Sequence, residues 1–438
     1  MLRQTTPPNK SDALLYERDA AFVPLLFGSD INVYSLARAF HESYGLRSTV
    51  WGKYATGPCY NSDIINFHTC AQNDRPDRFM EHVQSFARSQ GDKIVFLIGC
   101  GDNYIRLCSD FLGSYPDNVI APYPGRELVD LLFHKERFYR LCEERGLAYP
   151  KTFVYRPGES AGAVPPFEGP YILKPANPIL YWQHPFPGQK KAYRFARIGE
   201  LERALEKVYA AGYDDSMIVQ DFIPGDDTYM RVMTGYANRK GRVELMALGH
   251  VLLEEHTPQG IGNHAVIINE YDEALAMELK NFLEVIGFTG FFNFDLKYDQ
   301  RDGKMKVLEL NVRQGRSNYY VTGAGHNLAE YLVNDYILNQ PAAFTIAREK
   351  YLWSVVPRSV MFSYIRPQIY REEMRALIME GRINNPLNYA ADRNFKRRLS
   401  LFKSQLGHIY KYRKYLGNSV RAAQAPAASV YPRTPGEK

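Results

Sequence analysis

GFFNFDLKYDQRDGKMKVLELNVRQGR, residues 290 to 316, decides the fold. Asn293, Asp295 and Lys297 alternate with Phe292, Phe294 and Leu296. Glu309, Asn311 and Arg313 alternate in the same way with Leu308, Leu310 and Val312, so each half reads as a strand with one polar and one apolar face. Whether the two polar faces coincide depends on register, because a slip of one residue turns a strand over. A two-residue loop at Asp302-Gly303 would set Asp295 opposite Leu310, with the carboxylates on opposite faces. A three-residue loop, Arg301-Asp302-Gly303, with Gly303 in the left-handed position, sets Asp295 opposite Glu309 and Asn293 opposite Asn311, and this is the register expected.

Two carboxylates directly across a strand pair repel unless a cation lies between them. With the amide of Asn311, Asp295 and Glu309 form a hard, oxygen-rich donor set suited to Mg²⁺. Arg313 points to the same side, where its planar fork can hold a phosphoryl oxygen. A solvated sheet face with a surface ion pair is the plainer alternative, and residues upstream weigh against it. The apolar strand Tyr171-Ile172-Leu173-Lys174-Pro175 ends in a lysine, an awkward place for a charge unless an anion meets it. Lys135 lies 39 residues earlier, in the helical pattern LLFHKERFY. In MIVQDFIPGDD (217 to 227) a strand runs into a Pro-Gly turn, leaving backbone around Gln220 and Asp221 to bond an adenine edge, Phe222 and Ile223 to cover its face, and Asp227 to accept from ribose hydroxyls. Arg231, on the following strand, reads either as a buried ion-pair partner or as a phosphate or substrate contact.

Toward the N-terminus the grammar changes. FVPLLF ends in Gly28-Ser29-Asp30 before a helix-period segment, and KIVFLIGC ends in Gly101-Asp102 before another. Two strand-turn-helix units imply a doubly wound parallel sheet. Gly99-Cys100-Gly101-Asp102 lacks the third glycine of a dinucleotide fingerprint, so the plain reading is a tight turn at the carboxyl end of a strand, with Ser29, Asp30 and Asp102 as candidates to touch a small substrate.

The strings GSDINVYSLARAFHESYG (28 to 45), VQDFIPGDDTYMRV (219 to 232), LGHVLLEEHTP with IGN (248 to 263), TGFFNFDLKYDQRDG (289 to 303) and ELNVRQGRSNYY (309 to 320) resemble the ATP-grasp ligases, and more narrowly the D-aspartate ligases of peptidoglycan side-chain synthesis. The resemblance runs from about residue 20 to about 415 and implies an α/β fold: a flexible start (1–20), a Rossmann-like domain (21–125), an ATP-grasp domain (126–340), a helical extension (341–421) and a disordered tail (422–438). It also implies an ATP- and Mg-dependent ligase that activates the β-carboxylate of D-aspartate as an acyl phosphate. That acyl group is then joined to the side-chain amine of the third residue, lysine or similar, of the UDP-N-acetylmuramoyl pentapeptide. By the same resemblance Lys135 and Lys174 bind ATP phosphates, Gln220, Asp221, Phe222 and Ile223 the adenine, and Asp227 the ribose. Asp295, Glu309 and Asn311 hold two Mg²⁺ ions, while Lys174, Arg231 and Arg313 act in catalysis. Arg316 and Ser317 continue the metal strand and are candidates for the amino-acid carboxylate, with a structural turn as the alternative. One departure stands out: ATP-grasp enzymes usually close a glycine-rich flap over the phosphates, whereas residues 176 to 193 read ANPILYWQHPFPGQKKAY, with the single glycine Gly188 and two lysines, Lys190 and Lys191.

Composition narrows the alternatives. The chain has 438 residues, 45% hydrophobic and 13% aromatic, which excludes a disordered or collagen-like protein and suggests two or three domains. The five cysteines include no C-x-x-C pair, so reduced thiols of a cytoplasmic protein are expected, and neither a signal peptide nor a membrane span is expected. Residues 393 to 421 carry nine cations and no acid, which leaves the remainder at −3 out of a net +6. The main body therefore does not argue for nucleic acid. Within that segment Phe395, Leu399, Phe402, Leu406 and Ile409 form one helical stripe. Two readings follow: a helix packed on the body with a solvated basic face, or docking to an anionic membrane surface or steering of the UDP-linked acceptor. Other readings of the whole chain are an ATP-grasp ligase for another amino acid or small carboxylate, and a nucleotide-sensing membrane or nucleic-acid adaptor.

Overall fold

The computed structural model describes residues 20–158, 164–257 and 260–416; the expected disordered tail, and all but the last residue of the expected flexible start, fall outside the described residues. Three sheets follow one another along the chain. Strands Phe22–Phe27 (β1), Ser48–Gly52 (β2), Ile65–Thr69 (β3), Ile94–Gly99 (β4) and Val119–Ile120 (β5) form a parallel sheet in the order β3-β2-β1-β4-β5. Leu25, Leu26 and Phe27 are fully buried, as expected for a central strand covered on both faces. The helix Ile31–Tyr44 starts where the Asp30 side chain accepts from the backbone N–H of Asn32 (3.1 Å) and Val33 (3.4 Å), and it stops at Gly45 with φ +67°. Strand order reverses between β1 and β4, so Ser29-Asp30 and Gly101-Asp102 leave adjacent strands at their carboxyl ends, where open sheets bind ligands.

Thr152–Tyr155 (β6), Tyr171–Pro175 (β7), Tyr193–Phe195 (β8) and Met217–Asp221 (β9) form an antiparallel sheet in the order β6-β9-β7-β8. The third sheet contains Met230–Ala237 (β10), Val243–Glu254 (β11), His264–Glu270 (β12), Gly290–Asp299 (β13), Lys304–Asn311 (β14), Thr345–Ile346 (β15), Leu352–Ser354 (β16) and Ile383–Asn384 (β17). Its order is β14-β13-β10-β11-β12-β16-β17, with β15 beside β11. The segment expected to be a helical extension from residue 341 is therefore helical only in part. Its short strands β15, β16 and β17 widen the central sheet, and runs of two or three residues are too short for period-two alternation to reveal.

The decisive hairpin has the expected register at its site end, with Asp295 opposite Glu309 and Asn293 opposite Asn311, but reaches it by another route. Asp299 pairs with Lys304, so the turn spans four residues, 300–303, with Gly303 at φ +70°, rather than three. That turn alone would set Asp295 opposite Leu308 and put the carboxylates on opposite faces. A β-bulge restores the pairing: Leu296 faces Val307 while Asp295 faces Glu309, leaving Leu308 as the extra residue.

The C-terminal helix Phe395–Tyr415 lies on the body with the opposite orientation from the packed-stripe reading. Arg397 and Tyr412 face inward, at 2% and 3% exposure, whereas Phe395 is 80% and Phe402 62% exposed. Polar anchors set this orientation. Arg397 Nε lies 2.9 Å from Asp392 Oδ2, Tyr412 donates to Glu254 O (2.6 Å), and Gln405 donates to Val355 O (2.9 Å). Asp392 also accepts from Tyr34 (2.8 Å), Ser62 (2.8 Å) and the Asp63 backbone N–H (2.7 Å), joining the helix to the parallel-sheet domain.

Removing one partner of a buried ion pair strands the other charge. Arg397→Ala is expected to lower the stability of the helix attachment by about 3 kcal/mol. Urea unfolding combined with limited proteolysis of the C-terminal helix measures this. Adding Asp392→Ala should cost less than the sum of the single changes, and strict additivity would refute the coupling.

Candidate active site

The bulged hairpin, β7 and the helix Lys135–Glu144 bring five of the expected residues together. Lys135 Nζ donates to Glu309 Oε1 at 2.8 Å, and this contact holds the Glu309 carboxyl well below the usual carboxylate range despite burial. Asp295 accepts from Asn293 Nδ2 (3.1 Å) and Asn311 Nδ2 (3.2 Å). Burial, then the negative charge of Glu309, push its pKa up to about 6. Lys174 Nζ donates to the Tyr139 hydroxyl at 2.7 Å, and burial together with neighbouring Lys135 lowers its pKa to about 7.

Tyr139 was not among the expected residues, yet it ties the group together, because its hydroxyl donates to the carbonyl of the bulged Leu308 (2.5 Å). The signal for it was present: Tyr139 follows Lys135 by four residues, hence lies on the same helix face. A cavity of about 350 Å³ is lined by Glu309 and Asn311, by Asn177 and Pro178 at the start of the 176–193 segment, and by Asp102 and Arg106. The positive charge of Lys191, in the same segment, helps hold the Glu309 carboxyl low and opposes the rise at Asp295.

At the switch point, Arg313 Nε donates to Asp102 Oδ1 (3.0 Å) and Arg313 Nη2 to Asn311 Oδ1 (3.2 Å), so this arginine spans the metal strand and the parallel sheet. Arg316 Nε lies 3.8 Å from Asp30 Oδ2, and its Nη1 is buried without a hydrogen-bond partner. Ser29 lies beneath the loop after β2, where a Cβ at Gly57 would meet the Ser29 carbonyl at 2.5 Å. Ser317 is buried, with Oγ 3.5 Å from His264 Nδ1.

Around the hinge, Gln220 Nε2 donates to Thr152 Oγ1 (2.9 Å), and Ile223 is buried. The Phe222 ring carries Arg194 at 3.8 Å and Lys297 at 5.2 Å. Asp221 pairs with Arg301 at 2.7 Å. Asp227 Oδ2 accepts from the Glu254 backbone N–H (2.9 Å) and His256 Nε2 (2.8 Å). Beside it Glu254, a residue sequence reasoning passed over, has its pKa pushed up to about 8 by burial and by Asp227.

Arg231 takes the first of its two readings. Its Nε bonds Glu270 Oε2 at 2.8 Å and its Nη1 bonds the Thr228 and Met230 carbonyls, while His250 completes the network through Glu270. It pairs in register with Leu296, and so lies on the face opposite Asp295. Arg231 is thereby placed in a half-buried ion pair with Glu270, on the strand face away from Asp295 rather than beside the opposed carboxylates, a difference of strand face that one isolated arginine cannot reveal.

Among the described residues no group of three or more His, Cys, Asp or Glu side chains is placed to hold a metal ion by itself. The donor set is two opposed carboxylates and an amide. This fits Mg²⁺, which typically takes one or two carboxylates and completes its shell with water and substrate phosphates.

At about pH 8 the free Lys174 amine is largely neutral, and a phosphate beside it would favour the ammonium. Binding of a non-hydrolysable ATP analogue should therefore take up close to one proton at about pH 8 and almost none at about pH 6. Calorimetry in buffers of different ionisation enthalpy measures this, and uptake that survived in Lys174→Gln would refute the assignment. Tyr139→Phe leaves the Leu308 carbonyl without its donor, so it should cost about 1–3 kcal/mol of stability in denaturant unfolding and raise the KM for ATP.

No family model matches the chain. It is 39% identical over 407 residues to the D-aspartate ligase of Enterococcus faecium (strain Aus0004), covering 90% of this chain and 96% of the relative. Among solved structures, N5-carboxyaminoimidazole synthetase from Staphylococcus aureus complexed with ADP superposes with a TM-score of 0.54 at 12% identity, covering 76% of this chain and 84% of the other. The L-amino acid ligase from Bacillus licheniformis gives 0.50 at 15%, covering 72% and 74%.

Proposed function

The chain belongs to the D-aspartate ligase family of ATP-grasp carboxylate–amine ligases, and from that premise we propose that it activates the β-carboxylate of D-aspartate with Mg-ATP and transfers it to the side-chain amine of the third residue, lysine or similar, of the UDP-N-acetylmuramoyl pentapeptide. The observation that carries this reading is the opposition of Asp295 and Glu309 beneath Lys135 and Lys174.

A β-carboxylate oxygen attacks the γ-phosphorus and ADP leaves. The acceptor amine then attacks the acyl carbon, expelling phosphate and losing a proton. Neither step needs a protein nucleophile, only positioning and charge neutralisation. Lys135, Lys174 and Lys191 would neutralise the phosphates, 220–223 would bind the adenine, and Asp227 the ribose. Asp295, Glu309 and Asn311 would hold the Mg²⁺ ions, two in this reading, which withdraw charge from the transferring phosphoryl group. Arg313 would reach a phosphoryl oxygen from Asp102.

D-Aspartate carries two carboxylates and an ammonium. The alternation of Asp30, Asp102, Arg313 and Arg316 at the switch point matches that charge pattern, and the unpartnered Arg316 Nη1 is a ready donor to a carboxylate. Ser29 would border this pocket, and buried Ser317 would support it from behind.

Mg-ATP and D-aspartate with hydroxylamine in place of the acceptor should give β-aspartyl hydroxamate and ADP, because hydroxylamine intercepts an acyl phosphate. L-Aspartate should give far less. Glu309→Ala is expected to lower the rate by about a hundredfold or more while leaving the fold intact by circular dichroism. Turnover that is unchanged in that variant would refute the site, and hydroxamate from a different acid alone would move the chain to another donor.

A further inference from the structure

The side of the Phe395–Tyr415 helix turned away from the body is apolar. Phe395, Leu399, Phe402, Leu406 and Ile409 are all exposed, and they repeat at steps of four, three, four and three. At 1.5 Å per residue they run along about 21 Å of helix, and the exposed Tyr410 flanks the stripe at its C-terminal end. A soluble helix normally turns such a stripe inward, yet here polar anchors on the opposite face prevent it from turning.

Charge decides among the partners that can cover the stripe. A turn of about 100° per residue puts Lys396, Lys403 and Lys414 along one border and Arg398 along the other. Among the described residues none of these cations, nor Lys411 or Arg413, enters an ion pair, and all are exposed. A second copy would bring an equally cationic helix against this one. Nucleic acid would match the cations and leave the five apolar side chains without a partner. An anionic lipid surface satisfies both, because apolar side chains enter the acyl boundary while lysines and arginines meet the headgroups.

We propose that this helix is an interfacial anchor that lays its Phe395-to-Ile409 stripe into a membrane surface bearing anionic lipid. No helix among the described residues is long and apolar enough to cross a membrane, so the contact is peripheral. It does not depend on which substrates the active site takes.

The test is co-sedimentation of the full chain with vesicles of phosphatidylglycerol and phosphatidylcholine in equal parts, against vesicles of phosphatidylcholine alone. Binding to the anionic vesicles is expected, and raising the salt should weaken it. Phe402→Asp with Leu406→Asp should weaken it by about tenfold or more, as should Lys396→Glu with Lys403→Glu. Because these side chains are exposed and none of them belongs to the candidate site, ADP formation in lipid-free solution should stay unchanged in both variants, which also shows that they fold. Three results would overturn the proposal: no preference for anionic vesicles, binding that persists in the Phe402/Leu406 variant, or a self-association in sedimentation velocity that this variant abolishes without any lipid binding by the parent chain.

Discussion

Asp295 and Glu309 are forced to face one another across a strand pair, and the remainder of the molecule is arranged around that conflict. At an effective dielectric of about 20, two carboxylates about 5 Å apart repel by about 3 kcal/mol. The protein resolves half of the conflict itself. Lys135 pairs with Glu309 and keeps it ionised, while Asp295 receives only two amide donors and is left with a raised pKa. The unresolved half is negative charge held in place with too few partners, which is what a divalent cation recognises.

One helix maintains the arrangement. Lys135 and Tyr139, one turn apart, supply the counterion of Glu309 and the donor to the Leu308 carbonyl. The bulge at Leu308 is what turns Glu309 to the same face as Asp295, so the helix sets both the geometry and the charge of the site. On the other side, buried amides fix the strand end to the parallel sheet. Asn32 Nδ2 donates to the Cys100 and Gln314 carbonyls, and Asn318 Nδ2 donates to Asn32 Oδ1. Arg313 bridges the same gap at the surface. In the proposed reading, rigid attachment of this kind would keep a donor at the switch point aligned with a phosphate over β13 and β14.

Features carried by periodicity were legible in the sequence, and features carried by packing were not. Alternation in β13 and β14 showed which residues share a face, and a three-residue loop with Gly303 in the left-handed position selected the register, but the four-residue turn and its compensating bulge are invisible to a two-state choice of loop length. The apolar stripe of the C-terminal helix was legible as a stripe. Its outward orientation was not, because Arg397 finds Asp392, and Tyr412 finds the Glu254 carbonyl, only in three dimensions. Arg231 was ambiguous for the same reason, since its partner Glu270 lies 39 residues away on another strand. The fold class needed none of these contacts, because two strand-turn-helix units and one decisive hairpin already specify it.

Residues 176–193 show how a departure from a family pattern can be read physically. A glycine-rich flap offers backbone N–H groups to phosphate and must be flexible to do so. Here Asn177 caps the helix Pro178–Gln183 by accepting from the Leu180 backbone N–H, Tyr181 and Tyr193 share a hydroxyl contact at 2.8 Å, and the Lys190 backbone N–H donates to Tyr193 at 2.9 Å. A backbone committed to such internal bonds has few N–H groups left for a ligand. The charge comes instead from Lys191, whose field already reaches Asp295, Glu309 and Lys174. In the proposed reading, the Lys191 side chain would take over the neutralisation that backbone N–H groups supply elsewhere, so a segment with one glycine would still bring the positive charge that the phosphates require.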